Sequence, residues 1–504
     1  MTEPDDSLTP ADETPTVAPP APVEPMLAVR ILRSTAWNVV GAVIKQGITL
    51  LSAIIVARLL TPDDYAIAGL ALSVMGLFNV LTAQGFGQAL VRRPQLTPLT
   101  VHSVFWFTLL QGLVLAGAAV VAAPLIAQFY HQPDMAPLLV FLALTLVISM
   151  LGVVPNALLQ RDMRFRDINL IGISGGLIAA TLGIGVAVAG FGYWALMMPG
   201  LGIALATAAG AYWLTRYRPA FAFSWQEIKS VAVFGFSMLG SQVLTYFSDN
   251  SDYLIMGRFW ATASFGQYYF AFERARQPFN IVVAQLSSVV FPAFSKIQDD
   301  RERLRRAYLR GTRLVTLIVF PLHVLLVGLA DPLVPWLFGP QWQPAVPVFQ
   351  VFAAYGFVRG LAALTVPSLL AINYAQAIFF FNLFRVAVTV PALLYLGFNG
   401  GDILTTAIVL LVIWVVQTPF LIGFLNRKLG LTWRSFGASW HVVGLATVIM
   451  GLAFAAIHAI TTTAGWPVWA VATLSAAGSS ALFILLTRRD LRDLVDQVRR
   501  AVRR

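Results

Sequence analysis

The chain has 504 residues, 58% of them hydrophobic and only 11% charged, with a mean hydropathy of +0.76. Average globular domains carry about 25% charged residues, so a chain this poor in charge could not cover a water-facing surface, and a soluble globular protein is excluded. The complete absence of cysteine removes disulfide scaffolds, thiolate metal sites and cysteine nucleophiles.

Residues 1–27 are rich in Pro, Thr, Asp and Glu, have no hydrophobic period and read as a disordered tail. They lack the basic start, apolar core and cleavage site of a signal peptide, so the first apolar segment reads as an uncleaved anchor. Apolar segments then follow with short polar breaks, and a spanning helix needs about 20 mostly apolar residues. The expected spans are 34–60, 65–91, 99–123, 136–159, 168–190, 192–215, 229–256, 262–293, 312–331, 344–371, 375–397, 402–425, 438–460 and 466–487. The seventh and eighth carry charges. The fold class is therefore an all-α polytopic membrane protein of about fourteen transmembrane helices.

With the N-terminus inside, most of the 34 Lys and Arg fall on cytoplasmic segments. These include Arg92 and Arg93, Arg161 to Arg166, Lys296 to Arg313, Arg427 to Arg434, and the tail from Arg488. Asp63, Asp64, Asp134, Asp331 and Asp402 fall on outer loops. This is the positive-inside pattern, with both termini cytoplasmic. It accounts for most of the net charge of +11 and leaves no need for a nucleic-acid partner.

A shift of 200 residues lays Ala57-Arg58-Leu59-Leu60-Thr61-Pro62-Asp63-Asp64-Tyr65-Ala66 over Gly257-Arg258-Phe259-Trp260-Ala261-Thr262-Ala263-Ser264-Phe265-Gly266. Arg falls on Arg and Tyr on Phe, at the outer end of the first hairpin of each six-helix set. A parallel repeat follows, with a pseudo-two-fold axis along the membrane normal. It divides the chain into residues 28–220 (helices 1–6), 221–430 (helices 7–12), an appendage 431–487 (helices 13 and 14) and a basic tail 488–504.

The segment Ile55-Val56-Ala57-Arg58-Leu59-Leu60-Thr61-Pro62-Asp63-Asp64-Tyr65 resembles the first-hairpin signature of polysaccharide-transport flippases. Its partner Asp252-Tyr253-Leu254-Ile255-Met256-Gly257-Arg258-Phe259 and the stretch Phe291-Pro292-Ala293-Phe294-Ser295-Lys296 add to the likeness. Together they resemble the oligosaccharide-flippase branch of the multidrug/oligosaccharidyl-lipid/polysaccharide exporter superfamily, most of all its colanic-acid and lipopolysaccharide-type exporters. The resemblance implies two six-helix lobes, often with two added helices, in a bacterial inner membrane. It implies an undecaprenyl-pyrophosphate-linked oligosaccharide as cargo, flipped from the cytoplasmic to the periplasmic leaflet by alternating access. It leaves room for a polysaccharide polymerase or glycosyltransferase as partner.

Ionisable groups in hydrocarbon cost about 2.5–3.5 kcal/mol each on insertion scales, so they face a cavity or a partner. The expected spans contain Lys45, Asp249, Asp252, Glu273, Arg274, Arg276, Arg359 and Arg385. Glu273 and Arg276 are three apart and can pair. Arg274 points about 100° away from Glu273 and needs another partner. Asp249 and Asp252 share a face, so they want a cation, a proton or an arginine. They are the ion-coupling candidates, against the plainer reading of a solvated helix end.

The functional reading is a cationic chamber. Arginine meets pyrophosphate with forked donors and keeps its charge when desolvated. Lys45, Arg274 and Arg276 would hold the head group, because helices 1, 2, 7 and 8 line the cavity in the resembled family. Arg359 and Arg385 either join them or anchor helices 10 and 11. Gln46 and Gln84 are candidates for sugar hydroxyls, against ordinary inter-helix hydrogen bonding.

Three rivals are weighed. A drug/cation antiporter of the same superfamily would prefer an acidic cavity. A lipid II flippase differs by its sugar. A membrane-embedded glycosyltransferase or polymerase could use Asp63-Asp64, but no expected outer loop exceeds about a dozen residues, an ordinary connection length. The pair reads better as a hairpin tip. Without a Walker motif, metal cluster or catalytic triad, no cofactor, no metal and no enzymatic activity are expected.

Overall fold

The computed structural model describes residues 41, 44–82, 85–93 and 95–492, and every regular element among them is helical. Residues 44–59 form α1. There follow α2 (Pro62–Thr82), α3 (Phe86–Arg92), α4 (Pro98–Phe129), α5 (Met135–Arg161), α6 (Phe165–Val188) and α7 (Trp194–Thr215). The second half has α8 (Trp225–Met256), α9 (Thr262–Lys296), α10 (Arg301–Phe338), a 3-10 turn (Pro340–Ala345), α11 (Val346–Ala362), α12 (Thr365–Ala371), α13 (Ala375–Phe398) and α14 (Ile403–Leu429). The chain closes with α15 (Trp433–Thr463) and α16 (Val468–Leu486). The expected tail 1–27, Gln84 and most of the basic tail lie outside the described residues.

By length and composition, 11 spans among the described residues can cross a membrane. The helices α8 and α9, 32 and 35 residues long, carry Asp249, Asp252, Glu273, Arg274 and Arg276. Helices satisfy their backbone groups internally, which is why hydrocarbon permits them.

Two boundaries differ from the sequence expectation. The span 344–371 breaks after Ala362, because Pro367 has no N–H to offer the carbonyl one turn back, and α12 starts afresh at Thr365. The charged stretch 301–311, ahead of the expected span 312–331, forms the first turns of α10. The Asp300 carboxylate caps it, accepting from the Arg303 N–H at 3.0 Å.

In the first half α4, α5, α6 and α7 pack on one another; in the second α9, α10, α11 and α14 do so, with α13 against α8. Helices α15 and α16 pair and lean on α10. The halves meet chiefly where α2 crosses α8 and α9. At Gly266 a Cβ would overlap the Pro62 carbonyl, so only glycine lets these two chains approach.

The repeat is visible in reciprocal contacts at the end carrying Arg58 and Arg258. The Arg58 guanidinium donates to the Leu337 carbonyl at 2.7 Å and to the Trp336 carbonyl, at the end of α10. Arg258 lies 5.8 Å over the Phe129 ring, at the end of α4. Trp342 Nε1 donates to the Ala57 carbonyl at 2.9 Å, and the Tyr130 hydroxyl to the Leu254 carbonyl at 2.8 Å. Each half thus caps the first hairpin of the other. The ring of Trp342 stacks on Phe270 at 3.9 Å and meets Tyr65 edge-on at 4.7 Å, which seals this end with aromatic packing.

Candidate functional site: an arginine-lined cavity in the second half

The charged residues of the spans take up four kinds of position. On α9, Glu273 and Arg276 form the expected pair at 2.7 Å, and the Tyr253 hydroxyl also donates to Glu273 at 3.3 Å. Arg276 lies 5.0 Å over the Phe272 ring, and its Nε is buried without a partner among the described residues. Arg274, turned to another side of the helix, donates to the Gln277 side-chain oxygen at 3.1 Å.

The two aspartates of α8 separate. Asp249 is the counter-ion of Arg385 on α13, at 3.2 Å, with its own side chain 46% exposed. Asp252 is buried and accepts from the Tyr268 hydroxyl at 2.8 Å. Sharing a helix face does not make them share a ligand: α13 supplies an arginine to one, and the aromatic face of α9 supplies a hydroxyl to the other.

Arg359, one turn before the break after α11, lies 4.3 Å over Phe279 and 5.8 Å over Tyr355, and donates to the Asn280 side chain at 3.2 Å. Aromatic faces attract the cation without neutralising it, so its charge stays available to an anion. Two adjoining cavities meet at this side chain. A small one is lined by Arg276, Arg359, His323 and Tyr355. A larger one, about 230 Å³, lies between α9, α11, α13 and α14 and is lined by Arg359, Arg385, Asn382, Trp414 and Gln417.

The larger cavity has polar groups that look for partners. Gln417 is 3% exposed, and neither atom of its amide has a hydrogen-bond partner among the described residues. The same holds for Trp414 Nε1 and Arg385 Nε. Buried polar groups left unmatched cost about 1–3 kcal/mol each, so such a group marks a place where something polar is to be met. Arg385 also lies 5.3 Å over Trp414.

The expected head-group trio of Lys45, Arg274 and Arg276 is not the set that these cavities bring together. Lys45 sits on α1 against the first half, its side chain 3.7 Å from where a Cβ on Gly176 of α6 would stand. It is exposed, Gln46 beside it is half-buried, and neither lines either cavity. Arg274 is turned away by helix phase. The residues brought together are Arg276, Arg359 and Arg385, two of which the sequence left between chamber and anchor. Sequence reasoning passed over Trp414, Tyr355, His323 and Gln417. The signal for Gln417 was there: a lone amide in the apolar run 403–421.

The acidic pair of the first outer turn is used structurally. One Asp64 carboxylate oxygen accepts from the Thr61 N–H at 2.9 Å and the Thr61 hydroxyl at 2.8 Å, closing a cap at the start of α2.

Comparison with known proteins gives a consistent set of likenesses. The family described as "Polysaccharide biosynthesis protein" matches residues 55–347. The chain is 29% identical over 409 residues to the succinoglycan biosynthesis transport protein ExoT of Rhizobium meliloti, covering 79% of this chain and 83% of that one. It is 27% identical over 392 residues to the lipopolysaccharide biosynthesis protein WzxC of Escherichia coli, covering 77% and 79%. Among solved structures, it is similar to the lipid II flippase MurJ in an inward closed conformation. The TM-score is 0.70 at 13% identity, over 92% of this chain and all of that one. A multidrug resistance transporter of the MATE family and MOP superfamily, in an inward-facing conformation, matches with a TM-score of 0.61 at 17% identity, over 77% and 98%. Identities this low speak for the fold alone.

Proposed function

The chain belongs to the polysaccharide biosynthesis protein family, and on that premise we propose that it is a flippase for a lipid-linked oligosaccharide. The cargo is an undecaprenyl-pyrophosphate-linked sugar, carried from the cytoplasmic to the periplasmic leaflet of a bacterial inner membrane. Relatives named for succinoglycan transport and lipopolysaccharide biosynthesis support the substrate class.

The observation that carries the reading is the cluster of Arg276, Arg359 and Arg385 around two adjoining cavities within membrane helices. A pyrophosphate offers negative charge and many acceptor oxygens. Three guanidiniums held by aromatic faces supply donors for them in low dielectric. Gln417 and Asn382 take sugar or phosphate oxygens beside them.

Residues 28–220 and 221–430 act as two lobes that rock about the crossing of α2 with α8 and α9. The cavity opens first to one leaflet and then to the other. Residues 431–487 brace α10. Both termini are cytoplasmic, and the chain itself catalyses no reaction. Asp249 serves as counter-ion to Arg385, which leaves Asp252 as the ion-coupling candidate.

A drug/cation antiporter needs a carboxylate free for a cationic ligand. Here Asp249 and Glu273 are paired with arginines and Asp252 with Tyr268. The test is reconstitution of the full chain in vesicles with a fluorescent pyrophosphate-linked isoprenoid sugar, and in parallel with a lipophilic cationic dye. Flipping of the sugar lipid without dye efflux is the expected result. Dye efflux without flipping would overturn it.

A further inference from the structure

The larger arginine cavity shares two walls with a neighbouring groove. Phe381 and Leu421 line it on one side, and on the other they line a groove of about 610 Å³ between α13 and α14. The groove is walled by Ala377, Phe380, Phe381 and Phe384 of α13, spaced as one helical face, and by Phe420, Leu421 and Phe424 of α14. Phe380, Phe384 and Phe420 are more than half exposed at its rim. No charged side chain lines it. At its far end Tyr374 is shared with a polar pocket lined by Arg301, Arg427 and Lys428, where Lys428 lies 4.5 Å over the Tyr374 ring.

We propose that this groove seats the first isoprenoid units of the cargo while its pyrophosphate lies among Arg385 and Arg359. The inference rests on the flippase reading and adds to it where the tail leaves the protein.

Three observations favour that occupant. The groove and the arginine cavity share Phe381 and Leu421 as walls, so an amphiphile can lay its anionic head in one and the start of its chain in the other. Its lining is aromatic and aliphatic, which matches a branched, unsaturated hydrocarbon. The gap is also not a general consequence of two helices joined by a short turn, because α6 and α7 in the first half close on each other completely. A bilayer phospholipid is the competing occupant. Its head would sit in the basic pocket at the far end and not in the arginine cavity.

The test uses the purified full chain and two pyrophosphate-linked sugars, one esterified to a methyl group and one to a fifty-five-carbon isoprenoid, with binding measured for each. The wild-type chain is expected to bind the long probe at least tenfold more tightly than the short one. Phe380→Ser with Phe384→Ser, and separately Ala377→Trp, which fills the groove without removing an aromatic wall, should bring that ratio near one and leave the short probe unchanged. An unchanged ratio in a folded Ala377→Trp variant overturns the tail assignment. So does competition by phosphatidylglycerol against the long probe that Lys428→Gln abolishes, because it would give the groove to a bilayer lipid. Arg359→Gln should weaken both probes equally. If it weakens neither, the head-group reading fails, and that failure is separable from the chain-length ratio.

Discussion

The fifth and sixth helices of the two halves have matching places and opposite fillings. Between α6 and α7 the contacts are backbone to backbone. A Cβ on Gly202 would stand 2.9 Å from the Ala179 nitrogen, one on Gly183 3.3 Å from the Ala195 carbonyl oxygen, and one on Gly175 3.2 Å from the Ala206 Cβ. Between α13 and α14, phenylalanines line a groove that shares Phe381 and Leu421 with the arginine cavity. Matching helix pairs thus make a closed wall in one half and an open groove in the other. Helix packing in membranes is set by van der Waals fit and not by hydrophobic exclusion, so side-chain volume alone can make this difference.

The comparison breaks most readily at Gly202. Gly202→Leu should destabilise the chain by about 1–3 kcal/mol through overpacking, read as a lower unfolding temperature in detergent. Ala377→Leu on α13 should leave that temperature unchanged. Equal losses at both sites would mean that the second pair is as tightly closed as the first.

A smaller effect is expected from the pair that ties α8 to α13. Asp249 is 46% exposed, so a double-mutant cycle of Asp249→Asn and Arg385→Gln should give a coupling of at most about 1 kcal/mol. Transport should fall more with Arg385→Gln than with Asp249→Asn, because only the arginine lines the cavity. Equal falls would reduce Arg385 to an anchor.

The smallest effect lies between the halves, in the first turn of α8. The Thr100 hydroxyl donates to the Glu227 carboxylate at 2.8 Å, and Arg93 bonds it at 2.7 Å. Together these hold its carboxyl below the ordinary 4.5. A lowered folded value means that the contribution is present above the unfolded value and is lost as pH falls through the lowered one. Glu227→Gln should cost under about 1 kcal/mol at neutral pH, and the difference from wild type should vanish in acid, followed by thermal unfolding across pH.

Much of the fold was legible because hydrocarbon allows so few backbone solutions. Apolar runs and basic loops suffice to place helices and suggest their direction. The repeat was legible at Arg58 and Arg258, since both mark the same turn. The site was legible only as a list of charges. Which arginines meet depends on helix phase and tilt, and a span read alone fixes neither. Arg274 and Arg276 are two residues apart yet face different surroundings. Arg359 and Arg385 lie on helices that α8 and α9 bring together only in the folded chain. Lys45 was favoured because the first helix lines the cavity in the resembled family, and here it stands on α1 beside Gly176 of α6.

The central claim is that the anionic head group is held by the second half's arginines and not by Lys45. The direct measurement is the affinity of the purified full chain for the short pyrophosphate-linked sugar in Arg359→Gln and Lys45→Gln. A hydrogen-bonded charge contact contributes about 1.5–3 kcal/mol, so Arg359→Gln should weaken binding by about ten- to a hundredfold. Lys45→Gln should change it less than about twofold. Unchanged affinity in Arg359→Gln, with a large loss in Lys45→Gln, would contradict the account.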